Sequence, residues 1–299
     1  MITRRGLLKA LGGLVFTGFA TSSYAFGIEP MLRLRTAEYR LRPANWPKGL
    51  KRIVALADIH ACEPWMSARR IGRICEAANA LEGELIVLLG DYAAGMNLVT
   101  GYVHSEDWSK AMSILRAPLG VHAIMGNHDW WEDLTAQRAG GGDTFGHRAL
   151  RDVGVEVHAN AARRLERDGH AFWLAGLEDQ LALRPGKRRG RKSFVGLDDL
   201  DGTLAQVTDD APVILLANEP DIFPRVPSRV CLTLSGHTHG GQVRFLGYAP
   251  VVPSAHGNRY AYGHVVEQGR DIIISGGLGC SIAPIRFGSP PELTVIELG

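Results

Sequence analysis

Asn127, His128 and Asp129 stand in a row behind Gly126, and none of the three favours a strand or a helix interior. Three other short clusters share their chemistry: Asp58-Ile59-His60, Gly90-Asp91 and Gly236-His237-Thr238-His239. With Asn218 they bring together carboxylates, imidazoles and amide oxygens, and no thiolate. That donor set suits borderline divalent ions such as manganese, iron or zinc. In an extended segment, side chains two residues apart point the same way, so Asp-x-His and His-x-His could each grip one ion from both ends. Asp91 stands alone, and a lone carboxylate can bridge two ions. The neighbouring glycines leave room close to the backbone.

Apolar runs lead into these clusters. Residues 51–57 end at Asp58, and 121–125 end at Gly126. Residues 85–89 form a continuous apolar run ending at Gly90-Asp91, which fits a strand buried on both faces. Helical spacing between them, over 66–81 and 108–115, makes a βαβαβ pattern with right-handed crossovers. All the polar clusters then lie at one end of a parallel sheet, where α/β folds build sites. Two helical pieces follow over 130–152, around Gly140-Gly141-Gly142. Short strands are expected at 155–157, 162–166 and 171–175, with a hairpin turn at Arg167-Asp168-Gly169-His170. A helix at 198–207 precedes buried strands at 213–217 and 231–235, which end at Asn218 and Gly236. The tail strands, 265–266, 271–275 and 293–298, are expected to complete a second sheet.

The chain has 299 residues, 45% hydrophobic and 21% charged, enough for one large domain with a sizeable core. A net charge of +2 gives no indication of nucleic-acid binding. Residues 1–25 read as a signal segment: Thr3-Arg4-Arg5-Gly6-Leu7-Leu8-Lys9 has the twin-arginine arrangement, an apolar stretch follows, and Ser23-Tyr24-Ala25 offers a cleavage site. An uncleaved anchor is the alternative, although the apolar stretch is short for a span. Residues 26–50, with Pro30, Pro43 and Pro47, read as a linker with an edge strand near 33–41, and 51–299 as the main domain. The four cysteines form no CxxC, and Cys231 and Cys280 read as buried thiols. The basic run from Arg184 to Lys192 reads as a solvated loop, or as a contact for an anionic membrane or a phosphate-bearing substrate. No P-loop and no nucleophile elbow is present.

Taken in order, D-x-H, G-D, G-N-H-D and G-H-x-H resemble the motifs of the calcineurin-like metallophosphoesterase family, over essentially all of 51–298. The twin-arginine start, Gly236 to Val243 (GHTHGGQV) and Gly276 to Phe287 (GGLG-x-S-x-x-P-x-R-F) resemble its exported bacterial phosphodiesterases. The resemblance implies a four-layer αββα sandwich, two mixed β-sheets flanked by helices. It implies two divalent metal ions: Asp58, His60 and His239 on the first, Asp91 bridging, Asn127 and His237 on the second. A water or hydroxide between the ions would attack phosphorus in line, with His128 protonating the leaving oxygen and Asp129 orienting its ring.

The chain departs from the family at Asn218, where the motif carries a histidine. A weakly ligating Asn218, a site with one ion in practice, and a lost activity are the three readings. Arg286 could reach a phosphate oxygen, or form a structural salt bridge. The expected function is hydrolysis of a phosphodiester. The alternatives are a phosphomonoesterase, a lipid-linked pyrophosphatase, or a non-catalytic phosphoryl-binding protein. The expected partners are a phosphoester, membrane- or lipid-linked in one reading, and the twin-arginine export machinery. The expected location is periplasmic, or on the outer face of the inner membrane.

Overall fold

Strand residues with a period of two sort their side chains onto two faces, and the core follows this rule closely. In Arg52–Leu56, Ile53 and Ala55 join one apolar cluster while Val54 and Leu56 join another. Leu85–Leu88 repeats the split, with Leu85 and Val87 on the first side and Ile86 and Leu88 on the second. In Val213–Leu216, Ile214 and Leu216 point to the same cluster as Ile53, and Val213 and Leu215 to a third. Two sheets therefore share one inner core, and each covers a separate outer core.

The computed structural model describes residues 3–43, 46, 49–186 and 190–299. In chain order the strands are β1 (Arg35–Leu41), β2 (Arg52–Leu56), β3 (Cys62–Glu63), β4 (Leu85–Leu88), β5 (Gly101–Tyr102), β6 (Val121–Ala123), β7 (Glu156–Val157), β8 (Ala161–Arg167), β9 (His170–Gly176), β10 (Val213–Leu216), β11 (Val230–Ser235), β12 (Gly263–Glu267), β13 (Arg270–Ile274) and β14 (Glu292–Leu298). The helices are α1 (Arg4–Ser23), α2 (Glu29–Leu32), α3 (Ala68–Ala80), α4 (Ser105–Met112), α5 (Asn127–Trp131), α6 (Leu134–Ala139), α7 (Phe145–Asp152) and α8 (Leu200–Ala205).

One sheet has the order β1-β14-β2-β4-β6-β7, the other β12-β13-β11-β10-β9-β8, and β3 and β5 form a small ribbon. The first sheet's outer face packs on α3, α4 and α7 through Ile74, Trp108 and Leu150. The second sheet's outer face takes Leu200 of α8 and Phe223. This is the four-layer sandwich. β2, β4 and β6 run parallel, so Asp58, Asp91 and Asn127 emerge at one end, as the βαβαβ pattern predicts. β10 and β11 are also parallel and deliver Asn218 and His237 from the second sheet.

Two expectations about the chain's ends need correction. β14 belongs to the first sheet rather than the second, parallel to β1 and antiparallel to β2. Its two faces feed different cores, Leu293 and Val295 outward and Ile296 and Leu298 inward, and apolar pattern alone does not name the sheet. The boundary between signal and linker falls inside one continuous helical run: α1 passes through a π-helical turn, Tyr24–Ile28, into α2. Ala25, Glu29 and Pro30 are buried, and β1 pairs with β14 along all seven residues. Pro47 of the expected linker and residues 187–189 of the basic run lie outside the described residues. All four cysteines are free, with Cys62 and Cys280 packed beside Met96.

Candidate metal centre

The clusters at 58–60, 91 and 237–239 are not extended. Asp58, His60, Asp91, His237 and His239 all have positive φ, between 47° and 65°. Non-glycine residues adopt this left-handed region rarely and at a cost, and such strain concentrates at functional sites. The chain turns sharply after each strand, and the turn aims the side chain across the sheet ends. The two-residue period expected of Asp-x-His and His-x-His is thus replaced by paired left-handed residues.

One ligand atom each from Asp58, His60 and His239 lies within 4.8 Å of the other two. Nε2 of His60 and Nε2 of His239 face one another at 3.0 Å, with the rings stacked 4.9 Å apart. Nδ1 of His60 is 2.8 Å from the Ala93 carbonyl, to which it donates, so His60 presents the lone pair of Nε2 to the centre. Asp58 Oδ1 accepts the His237 N–H at 2.7 Å, while Oδ2 is buried without a hydrogen-bond partner among the described residues. Asp91 accepts the His128 N–H on Oδ1 at 2.8 Å and places Oδ2 4.0 Å from His60 Nε2. Asn127 Oδ1 meets His237 Nδ1 at 2.9 Å. Asn218 donates through Nδ2 to the Leu89 carbonyl at 2.7 Å, leaving Oδ1 buried and unpartnered among the described residues.

These observations fit divalent cations. A buried carboxylate oxygen or amide oxygen with no donor is costly, and a cation removes the cost. Burial pushes the Asp58 carboxyl up to about 7 and the Asp91 carboxyl well above its usual range. Burial holds His60 down at about 4 and His239 well below its usual value, so both imidazoles are neutral and able to ligate. Glycines fix the spacing: a Cβ on Gly126 would stand 2.4 Å from Asp91 Oδ1, and one on Gly277 would stand 2.5 Å from Asp58 Oδ2. His122, Glu156 and His158 form a second group that could hold an ion. There His122 Nε2 donates to the Leu119 carbonyl at 2.9 Å, Nδ1 faces His158 Nε2 at 3.0 Å, and none of the three lines the cavity described next.

A cavity of about 700 Å³ opens over the first centre. Asp91, Asn127, His128, His237 and His239 form its floor, and Asp58, His60 and Asn218 lie behind them. Nε2 of His128 is 3.4 Å from Ser281 Oγ, its Nδ1 is buried without a partner among the described residues, and its ring centre lies 4.9 Å from those of His60 and Trp131. Burial, and then His60 and His237, hold His128 well below the usual imidazole range. Trp131 walls the cavity, while Trp130 is buried and donates to Glu178 at 2.9 Å. Arg184, the first residue of the basic run, reaches the mouth and lies 4.8 Å over the Trp131 ring. Of the readings given for that run, a solvated loop, a membrane contact or a contact for a phosphate-bearing substrate, the place of Arg184 fits the last. Ser281 lies in the Gly276 to Phe287 stretch, to whose serine the sequence assigns no role.

Two expected roles are not what the structure shows. Asp129 does not orient the His128 ring. Its carboxylate accepts the N–H groups of Asp91, Tyr92, Ala93 and Gly126, each at 2.9 Å, and so clips the Asp91 turn to the Asn127 turn. Arg286 does not reach the cavity. It is fully buried and donates to the carbonyls of Gly276, Gly279 and Ser289, with Nη2 against His239 Nδ1 at 3.2 Å. A guanidinium has five N–H groups in a fixed fork, and three backbone carbonyls and His239 occupy them here.

The model of the calcineurin-like phosphoesterase family matches residues 51–241. The chain belongs to this family. It is a metallophosphoesterase, a phosphoester hydrolase, and the family together with the clusters above points to divalent metal ions. This phosphoesterase is 29% identical over 306 residues to an uncharacterized metallophosphoesterase, YkuE, of Bacillus subtilis, covering 99% of this chain and 98% of that one. An uncharacterized metallophosphoesterase of Aquifex aeolicus is 29% identical, with 89% of this chain and 92% of that one covered. A transmembrane protein with metallophosphoesterase domain from Danio rerio is 28% identical, with 83% of this chain and 53% of that one covered.

Proposed function

We propose that this phosphoesterase is a metal-dependent phosphodiesterase, exported by the twin-arginine route and acting in the periplasm or on the outer face of the inner membrane. The observation that carries the chemistry is the convergence of Asp58, His60 and His239 within 4.8 Å, with Asp91, Asn127 and His237 on the same cavity floor. Bound divalent ions there supply the Lewis acidity that makes water a nucleophile and offsets phosphate charge. Asp58, His60 and His239 would hold one ion, Asn127, His237 and Asn218 a second, and Asp91 both. Arg184 offers a cation to the incoming phosphate at the mouth. His128 is neutral in the free protein, and the anionic substrate raises its proton affinity, so it can hold a proton for the departing oxygen. Ser281, beside its Nε2, keeps the ring turned toward the cavity.

A cavity of about 700 Å³ leaves room for an ester group on either side of a phosphate, which favours the diester over the monoester. The same room suits a pyrophosphate. A second reading, a phosphoryl-binding protein without turnover, rests on Asn218, whose Oδ1 is a weaker donor than the imidazole it replaces. The test is the ratio of kcat/KM for bis(p-nitrophenyl) phosphate and p-nitrophenyl phosphate with manganese. A diester preference supports the proposal. A monoester preference overturns the phosphodiesterase assignment, and the absence of both activities selects the binding protein.

A further inference from the structure

The floor of the cavity is polar and its rim is not. Leu98, Val243, Val251, Ile282 and Ile285 surround the mouth, and Leu98, Val251 and Ile282 are 66%, 72% and 80% exposed. Ile282 is fixed beside the Leu98 loop by its N–H, which donates to the Gly95 carbonyl at 2.9 Å. Past Val243, the turn carrying Phe245, Leu246 and Tyr248 leaves three more large apolar side chains bare. Single exposed apolar residues are ordinary, but a set gathered around one opening marks an interaction surface.

The N-terminal helix docks beside this rim, on the segment that follows Ile285. Phe287 donates its N–H to the Gln242 carbonyl at 2.9 Å, and its ring lies 5.1 Å from Phe245 and 6.1 Å from Tyr24. Arg286 donates its N–H to the Ala25 carbonyl at 3.0 Å, and Ser289 to Glu29 at 2.7 Å. Cutting after Ala25 would therefore sever the chain inside a packed contact. Beyond the dock, α1 exposes Leu8, Leu11, Leu14, Val15, Phe16 and Phe19. Its 20 residues, at about 1.5 Å each, are about as long as a bilayer's hydrocarbon core is thick.

We infer that the helix stays on the folded protein as a membrane tether and that the cavity opens onto the bilayer surface, where its rim takes the apolar tail of a lipid phosphoester. This rests on the phosphoester hydrolase reading and adds the substrate class. The phosphate sits at His128, His237 and Arg184. The first methylenes lie against Leu98, Val251 and Ile282, and the rest of the tail remains in the membrane. Each methylene that leaves water changes binding by a factor of about four when fully covered.

The full chain, produced in an export-competent bacterium and extracted in mild detergent, gives three readouts. Its intact mass is expected to retain residues upstream of Tyr24; a chain beginning at Phe26 overturns the tether. With manganese, kcat/KM for alkyl p-nitrophenyl phosphodiesters is expected to rise at least tenfold from butyl to dodecyl. In the triple variant Leu98→Asp, Val251→Asp, Ile282→Asp that rise is expected to shrink below threefold. A flat series in the natural chain, as a rim serving a protein partner would give, or a rise that survives the triple variant, overturns the tail site. If no diester turns over, calorimetric binding of butyl and dodecyl phosphonate still reads the rim: tighter dodecyl binding, lost in the triple variant, upholds the tail site, and equal affinities overturn it. Failure of turnover with the tail effect intact counts against the hydrolase reading alone.

Discussion

His60 and His239, 179 residues apart, bring their Nε2 atoms to 3.0 Å with the two rings nearly parallel. One comes from the end of a strand in the first sheet and the other from the end of a strand in the second. The pair shows how the sandwich makes its centre: two strand ends, one from each sheet, meet at one end of the shared core. The left-handed backbone at both residues supplies the last rotation.

The buried carboxyls beside this pair give a pH signature without metal. Asp58 is raised to about 7, and Asp91 well above its usual value, each chiefly by burial. A carboxyl with a raised folded pKa binds its proton more tightly when folded. Its contribution to stability is present below the unfolded value of about 4 and is lost as pH rises through the folded value. His60 and His239 are held below 6.5, so well above pH 6.5 they are neutral whether folded or not. Between pH 7 and 8 the raised carboxyls, Asp179 as well as Asp58 and Asp91, outweigh the imidazoles. The Tm of metal-stripped protein is expected to fall by a few degrees across that window, and saturating manganese to reduce the fall. A flat or rising metal-free Tm would contradict this.

Asp129 holds four backbone N–H groups, two of its neighbours being the turns that carry Asp91 and Asn127. Asp129→Asn replaces one acceptor oxygen with a donor that faces those N–H groups. Hydrogen bonds to a charged group contribute about 1.5–3 kcal/mol each, so a loss of about 3 kcal/mol is expected, together with a weaker manganese affinity. Thermal unfolding and calorimetric titration check both. A residue that only oriented His128 would leave metal binding untouched.

Arg286→Met removes a buried fork that gathers three backbone carbonyls and backs His239. A loss of about 3 kcal/mol is expected from the carbonyls left without donors, with reduced metal affinity and little change in KM. A raised KM with unchanged stability would restore the role of phosphate ligand.

Asn218→His returns an imidazole to a position whose amide oxygen is buried and unpartnered. Calorimetric titration is expected to show the weaker manganese step tighten at least tenfold, with turnover appearing at lower metal. If neither quantity moves, Asn218 does not stand at the second ion.

Much of this is legible in the sequence. The apolar runs ending at Asp58, Asp91, Asn127, Asn218 and His237 are strands, and the polar residue after each lies at the cavity or directly behind it. The expected edge strand is β1, which starts two residues later than expected and ends at the expected Leu41. What failed to show was hydrogen-bond partnership. Asp129 and Arg286 have the side chains of a catalytic acid and a phosphate clamp, yet both spend their bonding on main-chain groups, which carry no signature in a sequence. The left-handed turns at Asp58 and His239 were hidden for a related reason, because the glycines that permit them, such as Gly277, lie far away in the chain. Sheet membership of β14 likewise depends on pairing, to which an apolar alternation is blind.

The central claim is that these residues hold divalent ions that perform phosphoester hydrolysis, with His128 beside them rather than on them. The most direct measurement is turnover of bis(p-nitrophenyl) phosphate by metal-stripped protein as manganese is added stepwise, for the natural chain and His128→Ala. The natural chain is expected to be inactive when stripped and to gain activity with manganese. His128→Ala should bind manganese equally while losing about 10²–10⁴-fold in kcat. Turnover indifferent to chelation, or a His128→Ala protein that no longer binds manganese, would contradict the arrangement described here.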